Sequence, residues 1–240
     1  MSKIIYWAAF PSDFYLNCEE PKPVARDLKQ LYETTTVHRH HTSFIRCPCI
    51  QEHLKNTFTI NSPIDLNFTW DGDTISTKDY NQMTFNKLFE LRDVHAGLIS
   101  LNLSRYTFFT EYDCDMTVTG AYMSNNDMSK YSTVLPGRVN ISKWFRNTDL
   151  ALFIREKNKE IIIKKGDPLL YVKFHTDERI KLQKFYLTNE IYELQKHVLK
   201  QKEFQTDKSV TRYLKSIYNT FNKSKIKSKI LSEINKNLMD

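Results

Sequence analysis

Glycine, proline and cysteine are all scarce in this chain of 240 residues, which contains 5 glycines, 7 prolines and 4 cysteines. The shortage of glycine argues against collagen-like and phosphate-loop designs, which depend on it. No apolar run approaches the length of a membrane-spanning helix, and the apolar stretch near the N-terminus is short for a secretion signal. We therefore expect no membrane association. We also expect a cytoplasmic location or, for a viral protein, the host cytoplasm or the virion, with cysteines that remain reduced.

Positive charge is concentrated at the C-terminal end. Residues 179–240 carry 14 Lys and Arg against 6 Asp and Glu, whereas the remaining 178 residues carry 21 against 22. A basic segment can bind nucleic acid or an acidic surface. A solvated, lysine-rich helical face is the simpler explanation, and nucleic acid is kept as an alternative partner.

The apolar periodicity divides the chain into three segments. Residues 1–56 combine a strand pattern at Ile4–Phe10 with a helical pattern at Val24–Tyr32 and form an α/β preface to the body. Residues 57–178 contain short β-branched and aromatic runs separated by turn residues, and 179–240 form a basic helical segment. Asp71-Gly72-Asp73 predicts a tight turn between two of these strands. Short strands at this spacing are typical of sandwiches and barrels. We predict a mainly β fold, a sandwich, jelly roll or β-clip-like arrangement, with C-terminal α-helices.

Three apolar stripes at helical spacing mark the last segment. The three stripes consist of Leu187, Ile191, Leu194 and Val198; of Val210, Tyr213, Leu214, Ile217, Tyr218 and Phe221; and of Ile226, Ile230, Ile234 and Leu238. We expect Thr188 to cap the helix of the first stripe. Each stripe needs a surface to cover. We expect that surface to be the β body or a neighbouring helix. The alternative is an arm that docks to a protein partner or self-associates.

Five short motifs stand out in the middle of the chain: Cys47-Pro48, Ser62-Pro63-Ile64-Asp65-Leu66, Trp70, Thr119-Gly120 and Gly166-Asp167-Pro168-Leu169. In this order they resemble a family of unknown function found in bacteria and tailed phages, marine phages in particular. The resemblance extends over residues 47–174, about half of the chain. It implies an all-β domain and no known activity.

A weaker likeness concerns "SPIDL" and the closing "KEIIIKKGDPLLYVKF". Both look like parts of the deoxyuridine triphosphatase fold, a β-clip, and the first would place Asp65 near a metal or nucleotide. However, "GRVNISKW" lacks that family's acidic residue, and "VTGAYMS" lacks its Arg-Ser-Gly motif. The likeness thus implies the topology without the chemistry. A nucleotide- or small-ligand-binding enzyme of this fold is kept as an alternative function.

The stretch "HRHHTSFIRCPCIQEH" contains two ligand pairs, His38 with His40 and Cys47 with Cys49. Four nitrogen and sulfur ligands are enough for zinc, and in an extended segment the two cysteines would point the same way. The spacing departs from the usual C-x-x-C knuckle, and Pro48 removes an amide that such knuckles use. We expect a surface loop leading into a buried Cys47, with zinc as the alternative.

His175 and Asp177 form an H-x-D pair, which supplies two of the three ligands of a non-haem iron site on a jelly roll. The third ligand is missing, because the later His197 lies in a predicted helix. A metal-dependent oxygenase is therefore a further alternative. No cofactor is expected, and zinc or iron remains the alternative.

The chain has no nucleophile elbow, Walker loop or H-E-x-x-H motif. We therefore expect a non-enzymatic protein of phage or bacterial type that acts by binding or assembly. The best local candidate for a mixed aromatic and cationic surface is "WFRN", with Trp144 and Arg146. Asp65 and Trp70 are the other candidate ligand-binding residues.

Overall fold

The computed structural model of the chain describes residues 2–9, 18–26, 28, 47–103, 105–203, 219, 221 and 225–239. Within these ranges the fold is mainly β and sandwich-like, with several sheets and few helices. The predicted fold class is thereby confirmed at this level. The structure also describes no helix that is both long and apolar enough to cross a membrane.

The strands, in chain order, are β1 (Lys3–Ala9), β2 (Lys22–Pro23), β3 (Thr57–Asn61), β4 (Leu66–Trp70), β5 (Ile75–Ser76), β6 (Phe89–Asp93), β7 (Leu98–Leu101), β8 (Tyr106–Phe109), β9 (Asp115–Gly120), β10 (Ser132–Val134), β11 (Gly137–Asn140), β12 (Leu150–Ile154), β13 (Glu160–Ile163), β14 (Pro168–His175) and β15 (Ile180–Lys184). The helices are α1 (Pro48–Leu54), α2 (Gln82–Leu88), α3 (Asp127–Tyr131), α4 (Asn189–Glu203) and α5 (Ile226–Lys236).

Four sheets contain these strands. Sheet A has the order β15-β1-β8, sheet B β11-β9-β14-β3-β2, sheet C β13-β4-β5 and sheet D β10-β12-β7-β6. The ring of Phe174 in sheet B packs edge-on against Phe58 in its own sheet and against Phe108 in sheet A, with centroids 5.9 and 5.3 Å away. Aromatic contacts of this kind join sheets A and B in one core.

Sheet A joins all three predicted segments, since β1 comes from 1–56, β8 from 57–178 and β15 from 179–240. The strand predicted at the N-terminus is confirmed over its described residues. β15 is a strand that the sequence analysis did not predict, and it pairs in parallel with β1 from Lys3 with Ile180 to Trp7 with Lys184. Whether the three segments are separate domains stays a prediction.

The turn predicted at Asp71-Gly72-Asp73 connects β4 and β5. The Asp71 carboxylate accepts the backbone amides of Asp73 and Thr74 at 2.8 and 2.7 Å. Gly72 has a φ of +114°, a value that other residues rarely adopt. The residue types that predicted this turn, an aspartate that accepts backbone amides and a glycine that allows a positive φ, are thus the ones that stabilise it.

The C-terminal helices α4 and α5 cover sheet A. Ile191, Ile230 and Ile234 are fully buried, in a cluster with Phe109 and Phe185. The expected packing of the first and third stripes on the β body is confirmed for these isoleucines. Apart from Phe221, the middle stripe lies outside the described residues. An arm that used the same apolar side chains for a partner would first have to leave the body. Self-association and nucleic-acid binding by this segment stay predictions.

Candidate functional site

A cavity of about 190 Å³ opens where β8 of sheet A faces β9 and β11 of sheet B. It is lined on one side by apolar residues and on the other by the loop 144–149; the lining residues are Phe108, Met116, Val118, Leu135, Gly137, Val139, Ile141, Trp144, Arg146, Asn147, Thr148 and Asp149. We call it the Trp144 cavity. An apolar cavity of about 150 Å³ admits benzene, whereas drug-sized ligands occupy about 300 Å³ or more. The Trp144 cavity therefore has room for one ring or one side chain.

The apolar wall follows from the register of β9 and β11. Val139 lies opposite Met116 and Gly137 opposite Val118, so all four positions share one face of the sheet. A Cβ added to Gly137 would meet nothing within 4 Å. The missing side chain at Gly137 therefore helps to keep the cavity open.

Trp144 and Arg146 meet at this cavity. The Arg146 guanidinium carbon lies 4.8 Å from the centroid of the Trp144 ring, a distance typical of a cation–π contact. The Arg146 Nε is buried and has no hydrogen-bond acceptor among the residues that the structure describes. Buried donors without an acceptor are rare in folded proteins. The mixed aromatic and cationic surface expected from "WFRN" thus lines a concave site.

A buried polar network holds this loop against the C-terminal helix. Gln195 of α4 is 1% exposed, and its amide donates to Thr107 Oγ1 at 3.0 Å and to Asn147 Oδ1 at 2.7 Å. The Thr107 hydroxyl donates to the same Asn147 oxygen at 2.9 Å. Sequence reasoning missed this network, since a polar residue in an amphipathic helix is ordinarily assigned to its solvent face.

The start of the loop is fixed by charges. Lys143 donates to the Asp113 carboxylate at 2.9 Å, and the Asn140 amide donates to the same oxygen at 3.0 Å. These hydrogen bonds, that of Lys143 first, lower the pKa of Asp113 below its ordinary 3.8. Nearby, Arg138 pairs with Asp115 through two nitrogens at 3.0 and 2.8 Å. Lys143 and Arg138 are therefore each paired with a carboxylate.

Asp65 and Trp70, the other candidate ligand-binding residues, lie elsewhere and make structural contacts. The Asp65 carboxylate accepts the Lys165 amide at 2.8 Å and anchors the turn before β14. Trp70 is buried, and its Nε1 donates to the Val94 carbonyl at 2.8 Å. A ligand role for either residue, and with it the nucleotide-binding alternative, stays a prediction.

The structure corrects the expectation for the cysteine pair. Cys47 is exposed rather than buried, and so is Cys49. Cys47 is the N-cap of α1, whose first residue is Pro48, because a proline fits the first helical turn, where its amide is not needed. The amides of Cys49 and Ile50 lower the pKa of the Cys47 thiol. Cys47 thus precedes a helix that contains Cys49, whereas a surface loop leading into a buried Cys47 was expected.

The zinc hypothesis depends partly on residues that lie outside the described part of the chain, namely His38 and His40. The four cysteines are free thiols, as expected. Among the residues that the structure describes, no three His, Cys, Asp or Glu side chains come together as a metal site. The zinc hypothesis stays a prediction.

His175 and Asp177 lie at the end of β14 and just beyond it, and both are exposed. The His175 Nε2 is 2.6 Å from the Thr117 hydroxyl, so this nitrogen already has a protein partner. Burial lowers the pKa of His175, and the nearby Arg138 and Lys173 add to this effect. His197 lies in α4, as predicted. The iron-site hypothesis also stays a prediction.

A second opening lies at the other edges of sheets A and B, between β2 and β15. This groove of about 610 Å³ is lined in part by Glu20, Lys22, Arg26, Phe58 and Lys181. Lys22 already forms an ion pair with Glu19 at 2.8 Å. Charges of both signs therefore meet in the groove, and it shows no clear preference for one class of ligand.

No family model matches the chain, and the search of curated proteins found no significant relative. The resemblances to the phage and bacterial family and to the deoxyuridine triphosphatase fold stay predictions.

Proposed function

We propose that this chain is a non-enzymatic protein of phage or bacterial type that acts by binding, and that the Trp144 cavity receives one side chain of a protein partner. The observation that carries this proposal is a concave, apolar-walled site of about 190 Å³ with an aromatic and a cationic residue at its mouth. Binding energy at protein interfaces is concentrated in Trp, Tyr and Arg residues that fill or line such pockets.

The exposure of the tryptophans supports the choice of this site. The chain has three tryptophans, and Trp7 and Trp70 are 1% and 5% exposed. Trp144 is part-exposed at the cavity. Its ring can therefore gain contacts when a partner binds, whereas the rings of Trp7 and Trp70 are already buried in the core.

The polar groups of the cavity fit binding better than catalysis. Among the described residues that line it, the charged and hydrogen-bonding side chains belong to Trp144, Arg146, Asn147, Thr148 and Asp149. Nucleophilic catalysis needs a nucleophile within reach of a base. Asn147 is held by Gln195 and Thr107, and the Thr148 hydroxyl accepts the Tyr106 amide at 3.3 Å. These two polar groups stabilise the loop.

The size of the cavity favours a protein partner. A cavity that holds one ring offers a free metabolite few contacts and therefore little binding energy. A peptide adds contacts on the surrounding surface. Leu135, at the edge of the cavity, is 45% exposed and extends the apolar surface outward. The cavity thus serves as the anchor point of a larger contact.

The test is to pan a display library of random short peptides on the wild-type chain. Each enriched peptide is then measured against two variants: Gly137→Val, which fills the cavity, and Ser76→Val, which adds the same side chain at an exposed position of sheet C. We expect related peptides that bind the wild type and Ser76→Val and fail to bind Gly137→Val. No enriched sequence, or equal binding by both variants, would contradict the proposal.

A further inference from the structure

We infer that the Trp144 cavity selects an acidic peptide segment, in which an apolar side chain fills the cavity and a neighbouring carboxylate binds Arg146. This inference rests on the proposed function and adds the chemistry of the partner. It is carried by Arg146, a cation that lines the cavity and contacts the Trp144 ring but has no ion-pair partner among the described residues.

Arg146 has no anionic partner in the part of the chain that the structure describes. Its Nε is a buried donor without an acceptor among these residues. Its guanidinium carbon lies 4.8 Å from the centroid of the Trp144 ring. A guanidinium presents its donors in a planar fork that matches a carboxylate. The Trp144 ring packs against the guanidinium and the Nε is buried, so a carboxylate would bind the terminal Nη donors.

The other charges around the cavity leave Arg146 uncompensated. Lys143 and Arg138 are paired with Asp113 and Asp115. Asp149 lines the cavity as well, but it forms no recorded ion pair with Arg146 within the described residues. Asp149 therefore reduces the positive potential of the site, while the Arg146 guanidinium stays free to bind a ligand.

The apolar wall determines what accompanies the carboxylate. Met116, Val118 and Val139 offer no hydrogen-bonding side chain to a ligand, so the group that fills the cavity must be apolar. A ring or branched aliphatic side chain fits the available volume. The recognised unit is thus one apolar residue beside a carboxylate.

The experiment compares two probes of equal shape, phenylacetate and its neutral amide phenylacetamide. Binding is followed as the change in tryptophan fluorescence, which we assign to Trp144 because Trp7 and Trp70 are not among the residues that line the cavity. We expect phenylacetate to bind at least about tenfold more tightly, with a preference that falls as salt is added. Arg146→Gln should abolish the preference, and Asp149→Asn should increase it.

The carboxylate is that of an acidic side chain beside the apolar residue, and a chain terminus is the other source that the probes distinguish. Acetyl-Phe-Glu-amide, compared with acetyl-Phe-Gln-amide, tests the side chain, and acetyl-Phe with a free carboxylate tests the terminus. Equal affinity of the acidic and neutral members of every pair would overturn the inference.

The two proposals fail differently. If phenylacetamide binds as tightly as phenylacetate and Gly137→Val abolishes both, the cavity binds ligands but does not select anions. If neither probe nor any peptide binds, the result contradicts both the proposed function and this inference. Should Arg146→Gln not fold, an unchanged preference in Asp149→Asn would still contradict the inference.

Discussion

The side-chain amide of Gln195 donates a hydrogen bond of 2.7 Å to the Asn147 side-chain oxygen. This bond joins a C-terminal helix to the loop that carries Trp144 and Arg146. Gln195 is almost completely buried, and buried polar groups that lose their partners are costly. The helix α4 therefore positions the wall of the cavity in addition to covering sheet A.

Replacing Gln195 with Leu should lower both stability and ligand affinity. The substitution removes two donors and leaves buried oxygens of Thr107 and Asn147 with fewer partners. We expect a loss of about 1–3 kcal/mol in the free energy of unfolding, measured by urea titration. Affinity for the panned peptides should fall as well, because the loop loses its anchor.

Glu190→Ala is the matched control, since Glu190 is exposed in the same helix. Because an acidic residue in the first helical turn interacts with the helix dipole, it should lower the unfolding free energy by no more than about 0.3–1 kcal/mol. Equal effects of the two substitutions on stability and binding would mean that the network does not position the loop.

The Gly137→Val substitution should block binding without destabilising the fold. Gly137 is not among the glycines with positive φ, and an added Cβ meets open space. Replacing glycine at such a position restricts the unfolded chain and can stabilise by about 0.4–1 kcal/mol. We expect an unchanged or slightly higher thermal midpoint together with lost peptide binding. A large drop in the midpoint would show that position 137 is packed.

Trp70 and Trp144 should respond oppositely to replacement by Phe. Trp70→Phe removes the 2.8 Å hydrogen bond to Val94 and leaves a void, so stability should fall by about 1–3 kcal/mol while peptide binding persists. Trp144→Phe, at a part-exposed position that also packs against the cluster beneath α4 and α5, should affect stability less than Trp70→Phe does and should weaken peptide binding. Binding lost in Trp70→Phe with unchanged stability would favour the earlier expectation that Trp70 contacts a ligand.

Asp113 should give a pH dependence of a defined sign. Because Lys143 and Asn140 hold the pKa of Asp113 below 3.8, the carboxylate stabilises the folded state above that pH. The contribution is lost as the pH falls through the lowered folded-state pKa. Wild type should therefore be more stable than Asp113→Asn at about pH 6, and the difference should shrink at about pH 2.

This contribution is small, since the Asp113 side chain is largely exposed and water screens such pairs. Asp79→Asn, at another exposed position, is the control in the same urea titrations. A difference between wild type and Asp113→Asn that grows in acid would contradict the assigned role of Lys143.

Metal content tests the alternatives that the histidines and cysteines leave open. We expect elemental analysis of protein purified without a histidine tag to find metal far below one atom per chain. Near-stoichiometric zinc or iron would contradict that expectation. Substitution of Cys47 and Cys49, or of His175 and Asp177, would then show which pair binds it.

The sequence predicted the features that depend on local chemistry. The turn at Asp71–Asp73, the Thr188 cap and the first strand follow from residue types at neighbouring positions. The Thr188 hydroxyl indeed accepts the Ile191 amide at 3.3 Å. The aromatic and cationic pair at Trp144 and Arg146 was also visible, since the two residues are close in sequence.

Features that depend on distant parts of the chain could not be predicted in this way. The cavity requires β8 to face β9 and β11, and no local pattern specifies that arrangement. The parallel pairing of β1 with β15 joins residues about 177 positions apart. The buried environment of Gln195 likewise depends on Thr107 and Asn147, which come from two other elements.

The measurement that tests the central claim most directly is the methyl NMR spectrum of the chain during titration with phenylacetate. Met116 lies in the cavity wall, and Met83, 70% exposed, is an internal control. We predict that the Met116 methyl signal shifts in a saturable way while the Met83 signal stays in place, and that Gly137→Val removes the shift. A Met116 signal that does not move, or that moves no more than Met83, would contradict binding in the Trp144 cavity.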